Sequence, residues 1–373
     1  MKKFMKNSLK KVFIAALGPG EISQGMAFAK YALSKGSAVS FAVLRKSNLP
    51  FLPKTSARFQ KLLAPTPRKL NALVEKSRPD VLVLCNSKMF SWDAYFINHP
   101  PDPKPLTVSI DSNWLFFKES PYQSLPWTDR HYINLPKKVF RFGQKEFGGH
   151  YRISHEMLKK IKVVGMIPSY KSLPARVRSP IRRKYAKPGE KLIFLYASVG
   201  GLIKPEVFGT LTDVVEALCG QSCRIRVVHA GDYGLPRREQ RRYPWLTYAG
   251  PVTTDEFYAI LASSDLIFQH QGLGTLAQAI SAGVPAIANV KDVRDERSPW
   301  HAHAWEVEPF ARAGACMFFS FSDPIKKIIT AIESLLYDEK KRQRMRQDQK
   351  AIYSAGELVV FEDIKRLLNC ASR

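Results

Sequence analysis

The chain is poor in cysteine, in acid and in long apolar runs. Five cysteines in 373 residues (Cys85, Cys219, Cys223, Cys316 and Cys370) are scattered and odd in number. None forms a C-x-x-C pair, and no second Cys/His pair stands at zinc spacing from Cys219 and Cys223. A disulfide framework and a zinc motif are excluded, which leaves thiols in a reducing cytoplasm. No run reaches the roughly 18 apolar residues of a transmembrane helix. The start, "MKKFMKNSLKKVFIAALGPGE", has only a short apolar stretch at 12–17 that runs into a Gly-Pro-Gly turn. It reads as a first β-strand behind a basic tail rather than a signal peptide. There is no short-period repeat and no clustered His/Asp ligand set. Acid is the scarcest class: 32 Asp+Glu stand against 58 Lys+Arg, a net charge of +26. Such a field attracts polyanions, whether nucleic acid, anionic lipid or phosphorylated substrates.

What is present is α/β. A chain of 373 residues exceeds one ordinary core, so two domains are expected. "KKVFIAALGPGEISQGMAFAKYALSKGSAVSFAVL" reads as strand, Gly-rich turn, helix, a stop at Gly36, and strand. That is a βαβ unit, which requires a parallel sheet. "RPDVLVLCNS" and "PLTVSIDS" continue the sheet. Residues 165–191 are rich in Pro, Ser and Arg, a linker composition. A second series of strands and helices then starts at "KLIFLYASVGG", and the chain is helical from about 323 on.

One stretch stands out, "HQGLGTLAQAISAGVP" at 270–285. A buried strand ends just before it, and ligands of open α/β sheets bind at the carboxyl ends of strands. Gly272 and Gly274 let a backbone approach a ligand. The helix that begins near Thr275 offers N–H groups and a positive dipole end to a phosphate. His270 adds a donor, and Gln278 reaches a neighbouring hydroxyl. The competing reading is a plain strand–turn–helix connection, because a Gly-rich turn alone is weak evidence.

The longer pattern, His-x-Gly-x-Gly-Thr-x-x-Gln-Ala followed by Ala-Gly-Val-Pro, resembles the sugar-nucleotide signature of inverting GT-B glycosyltransferases. These include the UDP-glycosyltransferases and the lipid-linked N-acetylglucosaminyltransferase of peptidoglycan synthesis. The resemblance implies two Rossmann-like domains whose parallel sheets face each other across a cleft. It places the donor diphosphate on His270 and the 272–275 turn. It puts Gln278 where the family has an acid for the ribose, a departure from the pattern. Asp295 and Glu296 fall near the family's polar pair for the donor sugar, with solvated loop charge as the competing reading. Ser198, Gly200 and Gly201 match a second donor-phosphate loop. Glu21 falls where relatives carry the general-base His, and a carboxylate of raised pKa can do that work. An N-terminal helix acid held by the dipole is the equal alternative. Asp111, ending the "TVSID" strand, is a supporting or alternative base.

The domains expected are an acceptor lobe at 1–168, a linker at 169–190, a nucleotide-sugar lobe at 191–345, and a C-terminal helix at 346–373 that packs back on the first lobe. The donor is a nucleotide-sugar, with UDP favoured by the resemblance; no metal and no other cofactor is expected. Aromatics and cations interleave at 113–147, read as core plus solvated surface, as a membrane-interface patch, or as a nucleic-acid surface. No nucleic-acid motif supports the last. A basic, aromatic acceptor lobe suits a lipid-linked or phosphorylated acceptor, with the protein cytoplasmic and peripheral on the inner membrane face. Two other functions stay open: an inactive scaffold that serves as a partner subunit or binds polyanions, and an enzyme like the UDP-sugar 2-epimerases.

Overall fold

A computed structural model of the chain describes residues 9–85, 92–111, 127–147, 155–167, 173–199, 202–203, 205–221, 224–230, 243–250, 252–270, 272–290 and 303–371. The chain divides into two compact units. One comprises Met1–Lys137, Phe147–Ser169 and Ser354–Arg373; the other comprises Lys138–Glu146 and Tyr170–Tyr353.

The first unit is built on strands β1 (Lys11–Ala16), β2 (Ala38–Val43), β3 (Phe59–Leu63), β4 (Val81–Cys85), β5 (Leu106–Asp111), β6 (Arg130–Ile133) and β7 (Ile161–Val163). They lie in the order β3-β2-β1-β4-β5-β6-β7, and every pairing is parallel. β1 and β4 are buried along almost their whole length, which is why they read as continuous apolar runs rather than alternating ones. Alternate residues feed two cores. Val12, Ile14, Val81 and Val83 pack under the helix Pro19–Ser34. Phe13, Ala15, Leu82 and Leu84 pack against Leu70 and Val74 of the helix Pro67–Ser77.

The helix Gly356–Ala371 joins the first of these cores. Its Phe361 ring lies 5.4 Å from that of Tyr31 and 6.4 Å from that of Phe28. Asp363 ties it to the sheet. Its carboxylate accepts from Tyr132 Oη at 3.1 Å and Lys162 Nζ at 2.7 Å, with Arg130 Nε at 3.4 Å. Burial pushes the Asp363 carboxyl up, but these partners outweigh it and hold the group below its usual range.

The second unit repeats the plan. Strands β8 (Lys191–Tyr196), β11 (Ile225–His229), β12 (Leu246–Tyr248), β13 (Leu266–Gln269), β14 (Ala286–Val290) and β15 (Met317–Ser320) form a parallel sheet ordered β12-β11-β8-β13-β14-β15. β9 (Ser198–Val199) and β10 (Leu202–Ile203) make a small antiparallel hairpin. Counted from its own first strand, each sheet begins 3-2-1-4-5-6, the doubly wound order whose direction reverses between strands 1 and 4.

Two stretches differ from the sequence expectation. Within 169–190 lies a helix, Ala175–Tyr185, which is docked rather than loose: Arg182 pairs with Asp265 at 2.8 Å and donates to Glu190 O at 2.7 Å. The helix Glu339–Ile352 runs through position 346, and its Gln349 Nε2 donates to Val284 O and Ala315 O, both at 3.0 Å. That helix is part of the second unit, and Gly356–Ala371 alone of the C-terminal helices belongs to the first.

Candidate functional site

The reversal point of the second sheet lies between β8 and β13. The ladder runs one residue past β13, with His270 N donating to Tyr196 O at 3.0 Å. The chain then turns through Gly272 at φ 132°, a conformation that L side chains rarely adopt. A Cβ at Gly272 would also sit 3.2 Å from the Tyr196 ring and 3.4 Å from Thr275 Oγ1. Glycine is therefore required there both by φ and by space. The helix Leu273–Ala282 starts immediately, with Gly272, which has no side chain to cap it, as its N-cap. Gly272 and Gly274 are half-exposed, and a Cβ at Gly274 would meet nothing within 4 Å, while the first-turn N–H groups of a helix have no partner within it. An anion is the natural partner of such a terminus.

The predicted side chains lie beneath this turn. His270 is fully buried, with its ring 5.1 Å from that of Phe321. Its Nδ1 is 3.1 Å from Asn289 O. A carbonyl only accepts, so Nδ1 carries the proton and the orientation of the ring is fixed. Thr275 and Gln278 are also buried, on a helix whose residues are nearly all inward. Ser198 stands in β9, opposite Ile203, rather than at the end of β8. Gly200, Asp295 and Glu296 lie outside the described residues.

Three residues at this edge escaped the sequence reading. Tyr196 flanks the glycine turn. Gln269 ends β13 and Asn289 stands near the end of β14, both fully or almost fully buried. Among the described residues, the amide oxygen and nitrogen of each make no hydrogen bond. A buried unmade hydrogen bond costs about 1–3 kcal/mol, so such groups mark places where stability is not the only demand. The available signal was an amide closing each of two apolar strands, "LIFQ" and "AIANV".

The reversal point of the first sheet lies between β1 and β4. Here the helix Pro19–Ser34 begins from Gly18, with Glu21 in its first turn. The carboxylate folds back over the helix start: a Cβ at Gly18 would lie 2.8 Å from Glu21 Oε2. This is the placement of an acid that serves a helix terminus. Cys85, ending β4, has its thiol pushed far up, first by burial and then by the Glu21 charge. Asp111 is buried at the end of β5. Its neighbours in sequence, Val108 and Ile110, pack on the face that carries the helix with Glu21. By strand alternation Asp111 lies on the other face of the sheet. Asp111 instead shares its face with Ser109 and His131, which are register partners joined by a Ser109 Oγ to His131 Nδ1 hydrogen bond. Burial pushes His131 down to about 4, against the pull of the Asp111 charge.

Among the described residues no three His, Cys, Asp or Glu side chains gather as a metal site. No helix of the described residues is long and apolar enough to cross a membrane.

No sequence-family model matches the chain, and no curated protein does. Solved structures do resemble it. The S. aureus MnaA–UDP co-structure is 14% identical, with a TM-score of 0.64, covering 96% of this chain and 97% of that one. Arabidopsis thaliana UGT89C1 complexed with UDP-L-rhamnose is 13% identical at 0.62, covering 96% and 98%. Acinetobacter baumannii MurG is 14% identical at 0.55, covering 96% and 99%. The chain has the GT-B fold. At these identities the likeness carries the fold, and the chemistry has to come from the residues.

Proposed function

We propose that this GT-B protein is a glycosyltransferase that moves a sugar from a nucleoside-diphosphate sugar to a hydroxyl acceptor with inversion. One observation carries the reading. An uncapped helix terminus, entered through a glycine at φ 132°, stands at the reversal point of the second sheet. The donor diphosphate rests on the 272–275 amides, which stabilise the charge left when the anomeric C–O bond breaks. His270, its ring fixed by the Nδ1 bond to Asn289 O, supports that turn from below. Glu21 takes the acceptor proton as the new C–O bond forms, or Asp111 does so in its place. Uridine is the preferred base, in line with the UDP of the MnaA co-structure and the UDP-L-rhamnose of the UGT89C1 complex. A lipid-linked or phosphorylated acceptor suits the basic chain.

A second reading, a UDP-sugar 2-epimerase, is favoured by the resemblance to solved UDP-N-acetylglucosamine 2-epimerase structures. The deciding experiment is a thermal-shift screen against UDP, GDP, dTDP, ADP and their sugars, with wild type and His270→Ala. A melting-point rise with one diphosphate, lost in His270→Ala, supports the donor site. No rise with any nucleotide removes it and leaves the inactive scaffold. Inversion at the sugar C2 in the absence of acceptor, followed by NMR, selects the epimerase.

A further inference from the structure

The buried carboxylate of Asp363 is shared by three cations. Lys162 Nζ at 2.7 Å and a terminal nitrogen of Arg366 at 2.5 Å both reach its Oδ1. Arg130 Nε stands 3.4 Å from its Oδ2, which already accepts from Tyr132 Oη. They come from three elements of the first unit. Arg130 starts β6, Lys162 is the register partner of Tyr132 on the edge strand β7, and Arg366 lies one turn after Asp363 on the helix Gly356–Ala371. One cation neutralises a carboxylate, and each further one adds repulsion between like charges held close together. Lys365, 3.3 Å from Glu362, brings a fourth cation and a second acid. Two positive charges are left over at this corner.

Donors are left over as well. The Asp363 side chain is 1% exposed and both its oxygens are taken, whereas the Arg366 side chain is 66% exposed. Arg366 gives Asp363 one hydrogen bond of the five that a guanidinium can donate. Arg130 Nε is buried and makes no hydrogen bond among the described residues. Arg366 also lines a cavity of about 340 Å³, together with Glu362, Lys365, Asn369 and Cys370. That volume falls within the range of about 300–1,000 Å³ for small-molecule sites.

We propose that this corner of the first unit binds a phosphate group, free or as the monoester of a small soluble molecule. A phosphate monoester carries about −1.5 to −2 charges at pH 7 and offers three strong acceptor oxygens. Both properties match what Asp363 leaves unused. Arg366 presents the planar donor fork that suits phosphate, with Lys365 and the Asn369 amide beside it on the cavity wall. Lys162 and Arg130 add positive field from the sheet. The site belongs wholly to the first unit, so the inference stands apart from the nucleotide-sugar reading of the second.

Cys370, exposed on the cavity wall, reports occupancy. The full chain is alkylated with iodoacetamide while inorganic phosphate or glycerol 3-phosphate is titrated at constant ionic strength, and the Cys370 peptide is followed by mass spectrometry. Both probes are expected to slow its alkylation saturably. Arg366→Gln is expected to raise the half-saturating phosphate concentration about tenfold or more, the usual loss for a charge-assisted hydrogen bond, while the UDP thermal shift stays at its wild-type value. Asp363→Asn removes the group that competes with phosphate for these donors. It is expected to melt lower than wild type without phosphate and to gain more from phosphate than wild type does. Tighter protection by glycerol 3-phosphate assigns the cavity to a phosphorylated metabolite, and equal protection assigns it to phosphate itself. An unslowed Cys370 at every phosphate concentration overturns the proposal. So does protection that sodium chloride reproduces or that Arg366→Gln leaves unchanged. If Asp363→Asn does not fold, the wild-type and Arg366→Gln titrations decide alone.

Discussion

The carboxyl ends of the two sheets share a strand order and differ in almost everything else. At the second, a strand passes through a glycine at φ 132° into a helix with no acid in its first turn. At the first, the equivalent helix start is covered by its own carboxylate, and Asp111 stands two strands away. In the proposed reading, phosphate is favoured at the second edge and repelled at the first. The doubly wound order supplies two equivalent crevices. In the proposed reading, the residue types in the first helical turn decide which crevice takes an anion and which holds groups able to move a proton.

The sharpest way to break this contrast is at Glu21. If it is the base, Glu21→Gln is expected to lower turnover about 1,000-fold, within the usual range for a general base, while the UDP thermal shift stays at its wild-type value. A loss smaller than about tenfold reduces Glu21 to a helix-terminus acid, and Asp111→Asn then takes the same test. The structure already leans on Glu21 for the helix terminus, so a melting point is needed beside the rate.

A matched pair of substitutions tests the other half. A Cβ at Gly274 and one at Gly20 both meet nothing within 4 Å, so aspartate fits at either position. Each sits in the first turn of its helix, where a carboxylate adds about 0.5 kcal/mol. Gly274→Asp places a negative charge beside the proposed diphosphate and is expected to weaken UDP binding roughly 100-fold without lowering the melting temperature. Gly20→Asp is expected to leave UDP binding unchanged. Equal effects, or none from Gly274→Asp, would mean that the second edge is no more an anion site than the first.

The fold was legible because its strands are continuous apolar runs and its turns carry glycine. Gly36 does stop the first helix, at φ 91°. The turn at 270–275 was legible for the same reason. What could not be read was depth. "HQGLGTLAQA" gives no sign that His270, Thr275 and Gln278 lie under the turn rather than on it, because a helix buried on most sides shows no polar face. Nor did "TVSID" and "RHYI" announce that Ser109 and His131 are neighbours. That pairing depends on parallel register across 22 residues, which local pattern does not encode. The helix at 175–185 was hidden by its prolines and arginines and is secured by a distant partner, Asp265.

The two units can finally be compared through their buried histidines. His131 lies in the first sheet and His229 at the end of β11 in the second, between the rings of Phe208 and Tyr248. Burial pushes each down to about 4, with Asp111 opposing it only at His131. In the folded chain both are neutral at pH 6, whereas in the unfolded chain each takes up a proton below about 6.5. The unfolded state then binds more protons, so stability falls as pH drops from about 6.5 toward 4 and levels off below that. Each histidine contributes a slope of about 1.4 kcal/mol per pH unit in that window. His131→Gln is expected to remove this slope from the unfolding of the first unit alone, and His229→Gln from that of the second. Urea unfolding at pH 7, 6 and 5 reads both. A wild-type stability that stays flat across this range would show that the two rings are hydrated enough to charge in place, and that the interiors of the two sheets are alike in a way their edges are not.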